Sequence, residues 1–131
     1  MARPRAKELT DRELEIMQIF WDLPETDSEL TVAEVRDRLA ASKIELAYTT
    51  VATLVRILME KNFLDQTKSE RPFCYRARRS FEDVSGSLLG DLLDRVFRGS
   101  RELLLKQLVD EQELTDRERQ VLEDILRESQ S

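Results

Sequence analysis

The chain has 131 residues, 40% hydrophobic and 37% charged, with three glycines, three prolines, one cysteine and no histidine. That composition describes a folded, helix-rich protein, and without histidine it excludes Ser-His-Asp and Cys-His catalysis and nearly every common zinc site. No Asp/Glu group has the loop spacing of a calcium or magnesium site, so neither enzymatic activity nor a cofactor is expected.

The lone Cys74 reads as a small apolar strand residue. No apolar run approaches the roughly 20 residues needed to cross a bilayer. The basic start, Arg3, Arg5 and Lys7, is not followed by the apolar stretch of a signal peptide. A cytoplasmic protein with no membrane association is the expectation.

The net charge of −6 argues at first against a polyanionic partner. Its distribution reverses that reading. Residues 1–80 carry 14 Lys/Arg and 14 Asp/Glu, whereas residues 81–131 carry 7 and 13. Residues 43–79 hold eight basic groups (Lys43, Arg56, Lys61, Lys68, Arg71, Arg76, Arg78, Arg79) against four acidic ones, a local +4. Local field rather than total charge steers a polyanion to a face.

Four segments open with a capping signature, in which a Ser/Thr side chain accepts from the N3 amide and an acidic side chain reaches back. They are Thr10–Glu13, Thr31–Glu34, Thr115–Glu118 and, more loosely, Ser80–Asp83. A first helix is predicted over 11–21, burying Leu14, Met17, Phe20 and Trp21 with Ile16 on its flank, and Leu9 and Leu14 forming a staple. Residues 22–30 read as a polar loop. A second helix spans 32–41, with Val32, Val35 and Leu39 inward. A third spans 48–61, where Val51, Leu54, Val55, Leu58 and Met59 follow the spacing of a core stripe. Asn62 can close it in the left-handed conformation.

The period then changes. Phe63–Thr67 and Phe73–Arg76 read as two strands joined by a polar turn over 68–72. Three helices followed by a β-hairpin is the order of a winged helix. From Ser80 the chain is helical again, with apolar stripes at 84–97, interrupted by Gly99, then at 103–109 and 121–126. Three short helices cannot hide that much leucine alone. The fold class is therefore mainly α: a winged helix-turn-helix domain over 1–79, then a three-helix dimerisation domain over 80–131, with a homodimer as the expected assembly.

The other face of the third helix carries Thr49, Ala52 or Thr53, Arg56 and Glu60. Threonine hydroxyls and an arginine suit base edges in the major groove, and threonine is a poor helix former, so three within five residues are not there for helix stability. Lys68 and Arg71 stand at the tip of the hairpin, within reach of phosphates or the minor groove. Arg76, Arg78, Arg79 and the N-terminal Arg3, Arg5 and Lys7 are further candidates for backbone contacts. A second reading, a winged-helix adaptor that binds a protein through the same face, is favoured by the acidic total charge.

Several segments resemble the penicillinase repressor (BlaI/MecI/CopY) family of transcriptional regulators. Residues 9–21 (LTDRELEIMQIFW) resemble its opening helix, and residues 47–64 (AYTTVATLVRILMEKNFL) its recognition helix. Residues 69–77 (SERPFCYRA) are similar to its wing, and residues 113–126 (ELTDRERQVLEDIL) to its last helix. The resemblance implies a homodimeric repressor on a pseudo-palindromic double-stranded DNA operator. By motif position it marks Thr49, Thr50 and Thr53 as DNA-facing hydroxyls and Arg71 as the wing arginine, with Tyr48 of the same motif among the DNA-binding candidates. Ile57 stands where the family often has arginine, with Arg56 one position earlier, and Asn62 replaces the usual glycine. The cysteine-rich metal site of the copper-sensing branch is absent. A regulatory protease acts on the C-terminal domain in the β-lactam-responsive branch, at an Asn-Phe bond whose counterpart here is Gln107–Leu108.

Overall fold

The computed structural model describes residues 9–111 and 113–129. Helices α1 (Asp11–Trp21), α2 (Val32–Ala41) and α3 (Tyr48–Glu60) come first, followed by a hairpin, and then by α4 (Phe81–Arg95), α5 (Arg101–Glu111) and α6 (Asp116–Ser129). The chain divides into two compact units, Met1–Leu89 and Gly90–Ser131.

The capping signatures form as hydrogen bonds. Thr10, Thr31 and Thr115 each accept the amide three residues on, while Glu13, Glu34 and Glu118 accept the amide of the cap residue. Ser80 accepts the Asp83 amide, and the Asp83 carboxylate takes the Arg79 guanidinium at 2.7 Å. Each such cap contributes about 1 kcal/mol to its helix. Both α2 and α3 stop in the same way. Lys43 (φ 65°) and Asn62 (φ 67°) adopt the left-handed conformation. The following amides, Ile44 and Phe63, reach back to the carbonyls of Leu39 and Leu58, both at 2.9 Å. This Schellman closure satisfies carbonyls that the helix end leaves open.

The core of the first unit joins Ile16, Met17 and Phe20 of α1, Val35 and Leu39 of α2, and Val51, Val55 and Leu58 of α3, with Phe63, Leu64 and Tyr75 from the hairpin. The inward stripe of α1 differs from expectation. Ile16 is fully buried, while Leu14 is only half-buried and Trp21 stays at the edge. The stripe runs 13, 16, 17, 20, so a charged residue, Glu13, occupies a core position at 2% exposure.

The sheet has three strands rather than two. Leu30–Thr31 forms β1, inside what reads as loop, after a single 3-10 turn at Glu25–Asp27. It pairs antiparallel with β3 (Cys74–Ala77), Leu30 opposite Tyr75 and Thr31 opposite Cys74. On its other side β3 pairs with β2 (Leu64–Gln66), Gln66 opposite Tyr75 and Leu64 opposite Ala77. The hairpin strand is thereby central, its Cys74 and Tyr75 buried. That anchors the wing to the start of α2.

The first unit continues past the hairpin into α4. Val84 is buried in its core and Leu88 packs against it. Arg79 is the hub of this junction. Its guanidinium lies 4.9 Å from the centre of the Phe63 ring and pairs with Asp83, while its carbonyl accepts the Trp21 indole N–H at 2.9 Å. Trp21 in turn meets Phe81 edge-on at 5.6 Å.

The second unit contains the rest of α4 with α5 and α6. Gly99 (φ 78°), following Arg98 (φ 53°), makes the turn after α4, a conformation that favours glycine. Ser100 then accepts the Leu103 amide to begin α5. Among the described residues from Gly90 on, no hydrophobic side chain is buried, and nine large ones are exposed, from Leu92 to Leu126.

Candidate nucleic-acid interface

Helix α3 is wedged against α1 and α2 by Val51, Val55 and Leu58, so its opposite face is turned outward. Tyr48, Thr49, Thr50, Thr53 and Arg56 are all exposed on it, Tyr48 by 49%. Ala52 is not part of that face: it is half-buried and packs on the core, so the polar stripe runs through Thr53. The Thr53 hydroxyl donates to the Thr49 carbonyl at 2.9 Å, which leaves its lone pairs for an incoming donor. Arg56 pairs with Glu60 at 2.6 Å, one turn along. Both groups are more than half exposed, so the pair is weak and open to exchange.

The start of α3 differs from the other helices. Its cap residue is Ala47, and no side chain accepts its first amides. Those N–H groups stand at the positive end of the helix dipole, where an anion is favoured. The sequence carries a signal for this, since no Ser, Thr, Asp or Asn immediately precedes Tyr48. It is easily missed, being the lack of a motif rather than its presence.

In the wing, Lys68 and Arg71 are both exposed. The Lys68 carbonyl accepts from the Gln66 side chain at 2.8 Å, and the Arg71 guanidinium lies over the Phe73 ring at 5.7 Å. At the far side, Arg36 of α2 sits over the Tyr48 ring at 5.9 Å. Burial pushes the Tyr75 phenol up from its ordinary value, with Tyr48 and then Cys74 adding to the rise, so it stays neutral at the base of the wing.

Several of the other basic residues are committed within the fold. Arg79 is only 8% exposed and committed to Asp83 and Phe63, so it cannot reach a ligand. Lys61 is spent on Glu13 at 2.9 Å. Arg78 contacts Asn62 at 3.2 Å and Asp65 at 3.8 Å, while Arg76 is exposed. Arg3, Arg5 and Lys7 lie outside the described residues. The local +4 is therefore partly internal structure, and the cations that face outward sit mainly around the wing. Among the described residues no cluster could hold a metal ion, and no helix is long and apolar enough to cross a membrane.

The family model described as penicillinase repressor matches residues 9–128. A penicillinase repressor of Staphylococcus aureus is 24% identical over 91% of this chain and 90% of its own length. A transcriptional regulator BlaI of Mycobacterium tuberculosis is 31% identical over 78% and 72%. The methicillin resistance regulatory protein MecI of Staphylococcus aureus is 23% identical over 91% and 93%. A solved structure titled "Structure of Prokaryotic Transcription Factors" aligns at 16% identity with a TM-score of 0.47, over 55% of this chain and little more than half (57%) of that one. The chain belongs to the penicillinase repressor family, whose members are transcriptional regulators and not enzymes.

Proposed function

We propose that this protein represses transcription in the cytoplasm by binding a pseudo-palindromic double-stranded DNA operator as a homodimer, with α3 in the major groove. The observation that carries this reading is the outward face of α3. Tyr48, Thr49, Thr50, Thr53 and Arg56 are exposed opposite a buried Val51–Val55–Leu58 stripe, on a helix whose first amides have no side-chain cap. Such a face offers hydroxyls and a guanidinium to base edges, and Lys68 and Arg71 to phosphates. Division of the chain into a reader over 1–79 and a dimerisation domain over 80–131 belongs to the same proposal, with the first turns of α4 serving both, since Val84 and Leu88 pack on the reader's core.

The homodimer is supported by the second unit. A helical segment with no buried hydrophobic residue among those described needs a partner surface. Its apolar groove of about 610 Å³, lined by Leu105, Leu108, Val109, Leu114, Val121 and Leu122, suits a second copy. A regulatory protease acting at Gln107–Leu108 would open this domain. That bond lies within α5 and Leu108 is exposed, so cleavage requires local unwinding of the helix.

Titration of double-stranded DNA against the full-length chain at several salt concentrations tests the reading. Affinity should fall steeply and log-linearly with salt as counterions are released. A duplex affinity that is absent or indifferent to salt rejects DNA binding in favour of a protein-binding adaptor.

A further inference from the structure

Two grooves flank Arg71, and their charges differ. One, about 640 Å³, runs along the wing turn and is lined by Glu34 and Glu70 as well as Lys68. The other, about 580 Å³, lies between the start of α2, the first turns of α3 and the base of the wing. Thr31, Val32, Tyr48, Ala52, Arg71 and Phe73 line it, and no carboxylate does. In the first the two carboxylates offset Lys68 and Arg71, whereas in the second the charge of Arg71 is unopposed, so the second is the better seat for a polyanion.

We infer that the second groove seats the sugar–phosphate backbone of one DNA strand, and that Arg36, which lies outside the groove's lining but against its Tyr48 wall and which neither sequence motif nor family resemblance marks, is a phosphate contact at its edge. The inference deepens the DNA-binding reading above and rests on it. Apolar and aromatic walls (Val32, Ala52, Tyr48, Phe73) suit the face of a deoxyribose, which has little to hydrogen-bond. The charges stand beside two of those walls. Arg71 is held over Phe73 and Arg36 over Tyr48, at 5.7 and 5.9 Å from the ring centres. A guanidinium resting on a ring keeps its N–H edge outward, and the ring limits the rotamers it loses on binding a phosphate. The other contact of Arg36, Asp37 at 3.5 Å, is long and exposed and competes weakly. The uncapped amides that begin at Tyr48 add partial positive charge on the same side.

The test compares Arg36→Ala with Arg38→Ala in the full chain. Arg38 is an exposed arginine two residues along the same helix, about 200° around it, so the change in net charge is identical and the direction is not. The probe is a labelled mixed-sequence duplex, titrated across a salt series. Loss of one phosphate contact should weaken binding by Arg36→Ala about three- to tenfold and lower the salt slope by about one, while Arg38→Ala leaves the slope in place. Arg36→Lys should restore the slope, since the charge remains. Equal effects of the two alanine variants, or an Arg36→Ala curve that overlays the unmodified chain, overturn the inference while DNA binding stands. If the unmodified chain itself shows no salt-dependent duplex binding, the DNA reading fails and this inference with it.

Discussion

The ammonium of Lys61 lies 2.9 Å from one carboxylate oxygen of Glu13 and 3.2 Å from the other, joining the C-cap of α3 to the first turn of α1. The same carboxylate accepts the Thr10 amide at 2.8 Å. Burial alone would raise the Glu13 carboxyl, but the Thr10 amide and Lys61 outweigh it and hold it below its ordinary 4.5. A depressed folded value means that the stabilisation is complete above the unfolded value and is lost as pH falls through the folded one. Lys61→Met should cost about 3 kcal/mol at neutral pH by leaving a buried carboxylate without its cation. Denaturant melts should show that deficit shrinking below the carboxylate range. A deficit constant down to strongly acidic pH would assign the effect to packing instead.

Sequence reading should depend more on Thr50 than on Thr53. The Thr53 hydroxyl already donates to the Thr49 carbonyl, whereas the exposed Thr50 has no such bond in the structure. Against an operator selected from random duplexes, Thr50→Ala should lose about 1–3 kcal/mol and Thr53→Ala less, with little change on mixed-sequence DNA. Equal losses on both DNAs would place these residues outside base recognition.

Truncation should separate reading from assembly, and the cut matters. A chain ending at Leu89 keeps Phe81, Asp83, Val84 and Leu88, and should fold, sediment as a monomer and bind DNA far more weakly than the full chain. A chain ending at Arg79 loses the buried Val84 and the carboxylate opposite Arg79, and should melt roughly 10–30 °C lower, at about 2–4 kcal/mol of lost stability. A full-length monomer at micromolar concentration would sink the homodimer.

Gly86 and Gly90 lie inside α4 with nothing within 4 Å of where a Cβ would stand, and neither has a positive φ. Each Gly→Ala change should therefore stabilise the chain by about 0.5–1 kcal/mol through helix propensity alone. Thermal melts of the two variants check this. Destabilisation, or weaker self-association, would reveal instead a close approach by a second copy at that position.

Most of the helical architecture is legible in the sequence because its signals are local. Thr10, Thr31 and Thr115 mark their helix starts, and the stripe of α3 announces its buried face. The β1 strand is not legible, since two residues are too short to alternate and its pairing partner is more than forty positions away. Nor is the burial of Glu13 or Arg79. Both look like surface charges until α3 brings Lys61, and α4 brings Asp83, to meet them. The exposed threonines of the site follow from helical spacing, but the grooves beside Arg71 depend on where the wing lands against α2. Local spacing cannot supply that.

Helix α4 runs unbroken from Phe81 to Arg95, through the division of the chain at Leu89 and Gly90. Within the first unit this helix sets the phase of Leu88 against Val84. Adding or deleting a single residue between them, with the helix kept intact, turns Leu88 about 100° away from the core it packs against. Homologous chains should accordingly vary in sequence between these two positions far more readily than in residue count.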